Sequence, residues 1–270
     1  MKALKDYASI WISLAFFLLS CSTVPITGRT QLDLIPGSTM LAMSLQEYDA
    51  FLKSHKLSTN QKETKMVKQV GTRIQRAVEQ YFAKNLSSRE LDGYAWDFNL
   101  VESEEANAWC MPGGKVVFYT GILPITRDEA GLATVMGHEI AHAVAKHGNE
   151  RMSQGLLTQM GGMALAAALK EKPQQTRELW MTAFGLGAQV GVLLPYSRLQ
   201  ESEADRLGLI FMAMAGYDPS KAVDFWQRMS EKKGGKSQPE FLGTHPSDET
   251  RIRKIKALLP EAMQYYTKAR

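Results

Sequence analysis

The sequence predicts an α+β fold, mostly helical with a small β-sheet, on three observations. Apolar residues recur at three- and four-residue spacing through much of the chain, as in Met66, Val70, Ile74, Val78 and Phe82. Two β-prone runs flank Pro112-Gly113-Gly114, a strong hairpin signal. Soon after the hairpin comes Met136-Gly137-His138-Glu139-Ile140-Ala141-His142, where two histidines four apart share one helical face.

Taken in order, the chain opens with Lys2 and Lys5, then an apolar run from Ile10 to Leu19 that ends in Leu18-Leu19-Ser20-Cys21. The pattern resembles a bacterial lipobox, and residues 1–20 are expected to be a lipoprotein-type signal peptide, cleaved before an acylated Cys21. The apolar run is too short for a comfortable membrane span, which needs about 20 residues. Residues 21–37, with Pro25, Gly28 and Pro36, read as the lipidated N-terminus and a tether into one domain over residues 38–270. Ser38 to about Asn85 is helical in pattern, and Tyr94 to Val101 alternates as a strand does. Asn107 to Met111 and Lys115 to Tyr119 form the hairpin. Its exposed strand, at Asn107, Ala108 and Trp109, is placed to pair with an extended peptide.

Thr126-Arg127-Asp128-Glu129 has the capping-box pattern for the helix that follows, Leu132, Val135, Met136 and Ile140 form its apolar stripe, and Gly148 is its expected stop. Gly137 leaves room for another backbone or a ligand to come close. Arg151 to Lys170 and Thr176 to Leu194 are rich in Gly, Ala, Leu and Met. They read as helices packed closely on small residues, each too short or too interrupted to be read as a span, with contact with a bilayer as the alternative. Asp218-Pro219 opens a further helix. Lys232 to Pro239 reads as a basic loop that leads to Thr244-His245-Pro246.

Composition narrows the function. With 44% hydrophobic and 22% charged residues the chain is an ordinary globular one. A net charge of +4 without a basic stripe argues against nucleic acid as a partner. The two cysteines are Cys21 and Cys110. With Cys21 acylated no intramolecular disulfide can form, and Cys110 is expected as a buried thiol. The fold then rests on its core and its metal.

His138-Glu139-x-x-His142 is a zinc-binding pattern: both imidazoles reach one metal, and Glu139 can take the proton of the attacking water. His147 is a poor third ligand, because nine residues after His138 it points to the opposite side of the helix. The metzincin spacing would need glycine at position 145 and histidine at 148, where the chain has Ala145 and Gly148. A distant carboxylate fits a two-His-one-Glu site better. Glu201 and Asp205 share a helical face, while Glu203 is turned away, so one of the pair can bind zinc and the other hold a ligand imidazole.

Together, H-E-x-x-H, the later E-x-x-A-D and the Asn-Ala…Pro-Gly-Gly hairpin resemble a family of gluzincin zinc metallopeptidases, that of HtpX and the CAAX prenyl protease. The likeness covers roughly residues 60 to 260 and is strongest to the Oma- and BepA-type soluble or lipoprotein members. It implies a zincin-like metallopeptidase domain with a small sheet beside the active-site helix. It also implies one Zn2+ per chain held by His138, His142 and Glu201, with Asp205 behind a ligand. The Thr-His-Pro…Arg-Ile run resembles the family too, and implies an oxyanion-stabilising or regulatory role for His245.

The expected activity is that of a zinc-dependent endopeptidase hydrolysing peptide bonds with Glu139 as general base. Unfolded or misassembled envelope proteins are its expected substrates. The alternative is a zinc-containing chaperone or assembly factor with latent protease activity. The lipidated Cys21 followed by serine implies a bacterial cell envelope, at the periplasmic face of the outer membrane.

Overall fold

In a computed structural model of the chain, residues 21–24, 27–85, 88–232, 241, 245 and 249–269 are described. The expected leader over residues 1–20 lies outside them, as does the expected basic loop beyond Lys232. In chain order the strands are β1 (Cys21–Thr23), β2 (Thr30–Leu32), β3 (Asp97–Val101), β4 (Ala108–Met111) and β5 (Lys115–Tyr119). The helices are α1 (Gly37–Ser54), α2 (Gln61–Asn85), α3 (Leu123–Thr126), α4 (Glu129–Val144), α5 (His147–Ala168), α6 (Gln174–Ala188), α7 (Leu194–Met214), α8 (Lys221–Glu231) and α9 (Glu249–Ala269). The mostly helical α+β architecture expected from the sequence is the one observed.

The chain divides into two compact units, residues 1–40 with 146–197, and residues 41–145 with 198–270. In the first, β1 and β2 pair antiparallel, Cys21 opposite Leu32. The β2 end is tied to the start of α5: Arg29 donates to both carboxylate oxygens of the fully buried Glu150 at 2.7 and 2.8 Å, and Leu34 N–H donates to Ser153 Oγ at 3.0 Å. α5 and α6 lie against each other along one line, where Gly161 and Gly162 face Phe184. Close packing on small residues was expected, and Gly161 and Gly162 make it against Phe184. Outside it, Met160, Met163, Leu179, Trp180, Leu186 and Val190 are exposed.

The second unit carries a three-stranded sheet in the order β3-β5-β4. β4 and β5 are the expected antiparallel hairpin, with Trp109 opposite Val117, and β3 runs parallel to β5. Tyr48, Val101, Val117 and Tyr119 form a buried cluster on which Phe51, Leu52, Trp109 and Met111 pack. Trp109 meets Phe51 and Tyr48 edge-on, at 4.9 and 6.2 Å between ring centroids.

α4 is the centre of this unit. Every residue from Gly131 to Val144 is buried, where the sequence predicts only a one-sided stripe. The reason is packing on several sides, with α2, β4 and α8 all against the helix. Its start also differs from expectation. Arg127 takes a left-handed φ of 67°, which ends α3 and moves the cap to Asp128. The Asp128 carboxylate accepts from Gly131 N–H at 2.8 Å, while Thr126 Oγ1 donates to Leu123 O instead. The stop falls earlier than Gly148: α4 ends at Val144 and Lys146 is left-handed, φ 58°.

The close approach expected at Gly137 is made by α7. A Cβ on Gly137 would lie 2.8 Å from Gly208 O, and one on Gly208 would lie 2.8 Å from His138 N. Gly208 sits three and seven residues after Asp205 and Glu201, so all three share the face of α7 turned to α4. Two bare backbones are what bring the carboxylates to the histidines. Gly208→Val should therefore force the helices apart and cost about 1–3 kcal/mol as an overpacking change. Thermal unfolding and zinc content should fall together, whereas Gly148→Ala, with nothing within 4 Å of the added carbon, should leave both unchanged or raise stability slightly.

Candidate metal centre

α4 presents His138 and His142 one turn apart, buried, with their Nε2 atoms 3.1 Å from each other. From α7, Glu201 reaches both: Oε2 lies 3.4 Å from His138 Nε2 and Oε1 lies 3.2 Å from His142 Nε2. The fourth member is His245, whose Nδ1 lies 3.0 Å from His138 Nε2 and 3.0 Å from each Glu201 oxygen. One donor atom from each of these residues lies within 4.8 Å of all the others.

The donor set fits zinc. At zinc–ligand distances of about 2.0–2.2 Å the edges of a coordination tetrahedron are about 3.3 Å long. The donor separations above, 3.0 to 3.4 Å, are edges of that size. Imidazole and carboxylate are also the ligand types of catalytic zinc.

The surroundings orient the donors. His138 Nδ1 lies 3.1 Å from Asp205 Oδ1, which fixes the proton on Nδ1 and leaves the Nε2 lone pair for a metal. Asp205 in turn accepts two bonds from Arg251, from Nε at 2.9 Å and Nη2 at 2.7 Å, and Arg251 Nη1 lies 3.1 Å from Glu201 Oε2. The guanidinium lies over the Trp226 ring, 3.5 Å from its centroid. Phe241 stacks on His245 at 4.5 Å between centroids, and His245 N–H donates to Phe241 O at 2.8 Å.

Charge is the clearest feature. Among the described residues of the cluster, the carboxylates of Glu139, Glu201 and Asp205 are buried or nearly so, and Arg251 is the permanent cation beside them. Burial disfavours the ionised form of Glu201, yet hydrogen bonds from the three histidines hold it well below the usual carboxylate range. Asp205 is likewise lowered, because Arg251 and His138 outweigh its burial. Burial works against the His138 imidazolium too, but Asp205 and Glu201 push its pKa up to about 9. The cluster draws in positive charge, and a dication balances three carboxylates against one guanidinium.

Glu139 lies 3.4 Å from His245 Nε2, through Oε1. Burial, with the Glu139 carboxylate nearby, pushes the half-buried Cys110 thiol far up, so it stays protonated and takes no part as a thiolate. Asn107, Ala108 and Trp109 lie at β4, the edge strand of the sheet, which packs on α4. The structure thus gathers His138, Glu139, His142, Glu201, Asp205 and His245 in one place, with the predicted peptide strand beside their helix. Arg251 and Trp226 were missed. An arginine in a charged helix carries no local mark of burial, and the one sequence signal is the place of Arg251, seven residues after Thr244, as the arginine of the Thr-His-Pro…Arg-Ile run.

A sequence profile of peptidase family M48 matches residues 68–259. The mitochondrial metalloendopeptidase OMA1 of Schizosaccharomyces pombe is 40% identical over 169 residues, 62% of this chain and 48% of that protein. The Danio rerio OMA1 metalloendopeptidase is 29% identical over 263 residues, covering 94% and 54% respectively. The beta-barrel assembly-enhancing protease of Escherichia coli is 29% identical over 160 residues, covering 57% and 32%. The chain thus spans about half the length of the curated relatives it matches, or less.

These relatives overturn the expected bacterial outer-membrane location. That expectation rested on residues 1–22, whereas likeness over the folded part runs to mitochondrial proteins of fungi, plants and animals, at up to 40% identity. M48 metallopeptidases are zinc-dependent, in keeping with the donor set described above. With the profile running over residues 68–259 and the ligand-bearing α4 and α7 inside it, the chain belongs to peptidase family M48.

Proposed function

We propose that the chain is a zinc metalloendopeptidase in which His138, His142 and Glu201 hold the metal and Glu139 is the general base. The observation that carries this is the tetrahedron-sized spacing of the donors beside a buried carboxylate with a base's place in the helix. A zinc ion bound there supplies Lewis acidity toward the attacking water and the scissile carbonyl. Glu139 takes the water proton and returns it to the leaving amine. Asp205 keeps His138 in the tautomer that offers Nε2. Arg251 keeps Asp205 and Glu201 ionised despite their burial.

The substrate is held as a strand added to β4. Tyr119 N–H donates to Asn107 O, so Asn107 and, by alternation, Trp109 turn their backbone groups to β5. The backbone of Ala108 and Cys110 therefore faces the open edge and is the part that reads a peptide. Backbone pairing is tolerant of sequence, which suits misfolded or misassembled polypeptides. Envelope proteins as the particular substrates draw support from the beta-barrel assembly-enhancing proteases alone. A lipid on Cys21, and the division into residues 1–20, 21–37 and 38–270, belong to the same reading; Cys21 is exposed, as an attachment point must be.

His245 fills the fourth position of the donor set, where water and the carbonyl would have to enter, and describes a resting state. It is also the observation that favours the second reading, an assembly factor with latent protease activity. Phe241 N–H donates to Ala106 O at 3.1 Å, so the segment that carries His245 also touches the residue before the peptide strand.

Casein turnover by the whole chain, with zinc measured on every variant, separates these roles. Glu139→Gln should keep its zinc and lose turnover by about 10²-fold or more. His245→Ala should keep its zinc and turn over faster than the parent; equal or lower turnover would remove the resting-state role. Arg251→Met should leave buried carboxylates without their counter-charge and lose about 3–5 kcal/mol of stability. Chemical denaturation reads that loss, and Arg251→Lys should recover part of it.

A further inference from the structure

The α5–α6 hairpin of the first unit has a surface that its fold does not use. Met152 to Leu169 and Leu179 to Ser197 contain no Asp, Glu, Lys or Arg. At about 1.5 Å per residue the second run is about 28 Å long, close to the roughly 30 Å hydrocarbon layer of a bilayer, and the first is about 22 Å long beyond Ser153 and Gln154, which the protein buries. The stretch from Gln174 to Met214 is apolar enough to cross a membrane, with a window of mean hydropathy 1.3.

Three features argue that lipid covers this surface and not a second copy of the chain. First, the exposure runs around α6 instead of along one side. Leu179, Trp180 and Met181 are successive, point in three directions, and are 69%, 55% and 36% exposed. A dimer buries a stripe, whereas a helix apolar all round is matched by an apolar solvent. Second, charge sits only at the ends. Lys170, Glu171, Lys172, Arg177 and Glu178 are at the turn, and Arg151 and Arg198 are at the other end. Third, the exposed aromatics Trp180 and Tyr196 lie near opposite ends of the second run, about 24 Å apart along the helix. Those are the places aromatics take at the two faces of a membrane. Gly155, Gly185, Gly187 and Gly191 add open helix surface, since a Cβ at any of them would meet nothing within 4 Å outside its own helix, a composition common in membrane helices and costly in water-exposed ones.

We infer that the hairpin of α5 and α6, from Gly155 through the π-helical turn Gln189–Leu193 that follows α6, inserts into a lipid bilayer, with its charge-free residues in the hydrocarbon, the buried start of α5 outside it and the Lys170-Glu171-Lys172 turn in the headgroup region beyond it. Gly161 and Gly162 against Phe184 then form the helix–helix contact within the membrane, where small residues let helices approach closely. The membrane contact is separate from any lipid on Cys21 and does not depend on the peptidase reading.

The test uses the whole chain with vesicles of phosphatidylcholine and phosphatidylglycerol whose acyl chains are brominated at a shallow or a deep position. The contribution of Trp180 is the difference between the parent and Trp180→Phe, a change at an exposed site that leaves the fold intact. A second variant carries Leu186→Trp in the Trp180→Phe background, again at an exposed site. Insertion predicts that both signals are quenched by bromine, Trp180 more by the shallow label and the substituted position 186 more by the deep one. If neither signal responds to bromine, or both respond only to the shallow label, the hairpin does not insert. Shielding of both positions from acrylamide without lipid, together with a dimer in sedimentation, would assign the face to a second copy and overturn the inference.

Discussion

The close crossing of α4 and α7 at Gly137 and Gly208 is the constraint from which the metal centre follows. Neither helix has a side chain at the crossing, and the added carbon of either glycine would meet the other backbone at 2.8 Å. Because Glu201, Asp205 and Gly208 share one face of α7, the contact that sets the spacing also aims Glu201 at His138 and His142 and Asp205 at His138. An ordinary helix pair, held 8–10 Å apart by side chains, would leave Glu201 short of the imidazoles. α4 has no freedom to adjust, since it is buried from Gly131 to Val144.

That burial sets a second condition. Carboxylates taken out of water have to be paired, and three of them stand together here. Arg251 answers for one charge through its paired bonds to Asp205 and its contact with Glu201, and stacking on Trp226 keeps it in place. The rest of the charge is a match for a divalent cation. The same field that raises the His138 pKa to about 9 would draw a dication to that position. His245 completes the donor set, and its N–H donates to the carbonyl of Phe241, whose own N–H donates to Ala106 O beside β4.

The hairpin of α5 and α6 follows another logic. Its helices meet along a single line of glycine and phenylalanine, and the remaining apolar surface has no protein against it among the described residues of its unit. A sequence pattern that is apolar all round does not say whether protein or lipid lies against it. The small residues mark the contact line between the helices and not what covers the other faces.

By itself the sequence determined what depends on local order. The periodicity gave the long helices, Pro112-Gly113-Gly114 gave the β4–β5 hairpin, and the four-residue spacing put His138 beside His142 and Glu201 beside Asp205. It could not reliably place boundaries that hang on one backbone angle: left-handed Arg127 moved the cap from Thr126 to Asp128, and Lys146 ended α4 before Gly148. Only the tertiary structure decided which distant groups meet. Arg251 lies 46 positions from Asp205 and His245 lies 107 from His138. The parallel pairing of β3 with β5 is equally non-local. Such contacts are decided by how whole helices and strands pack, which no short window of residues records.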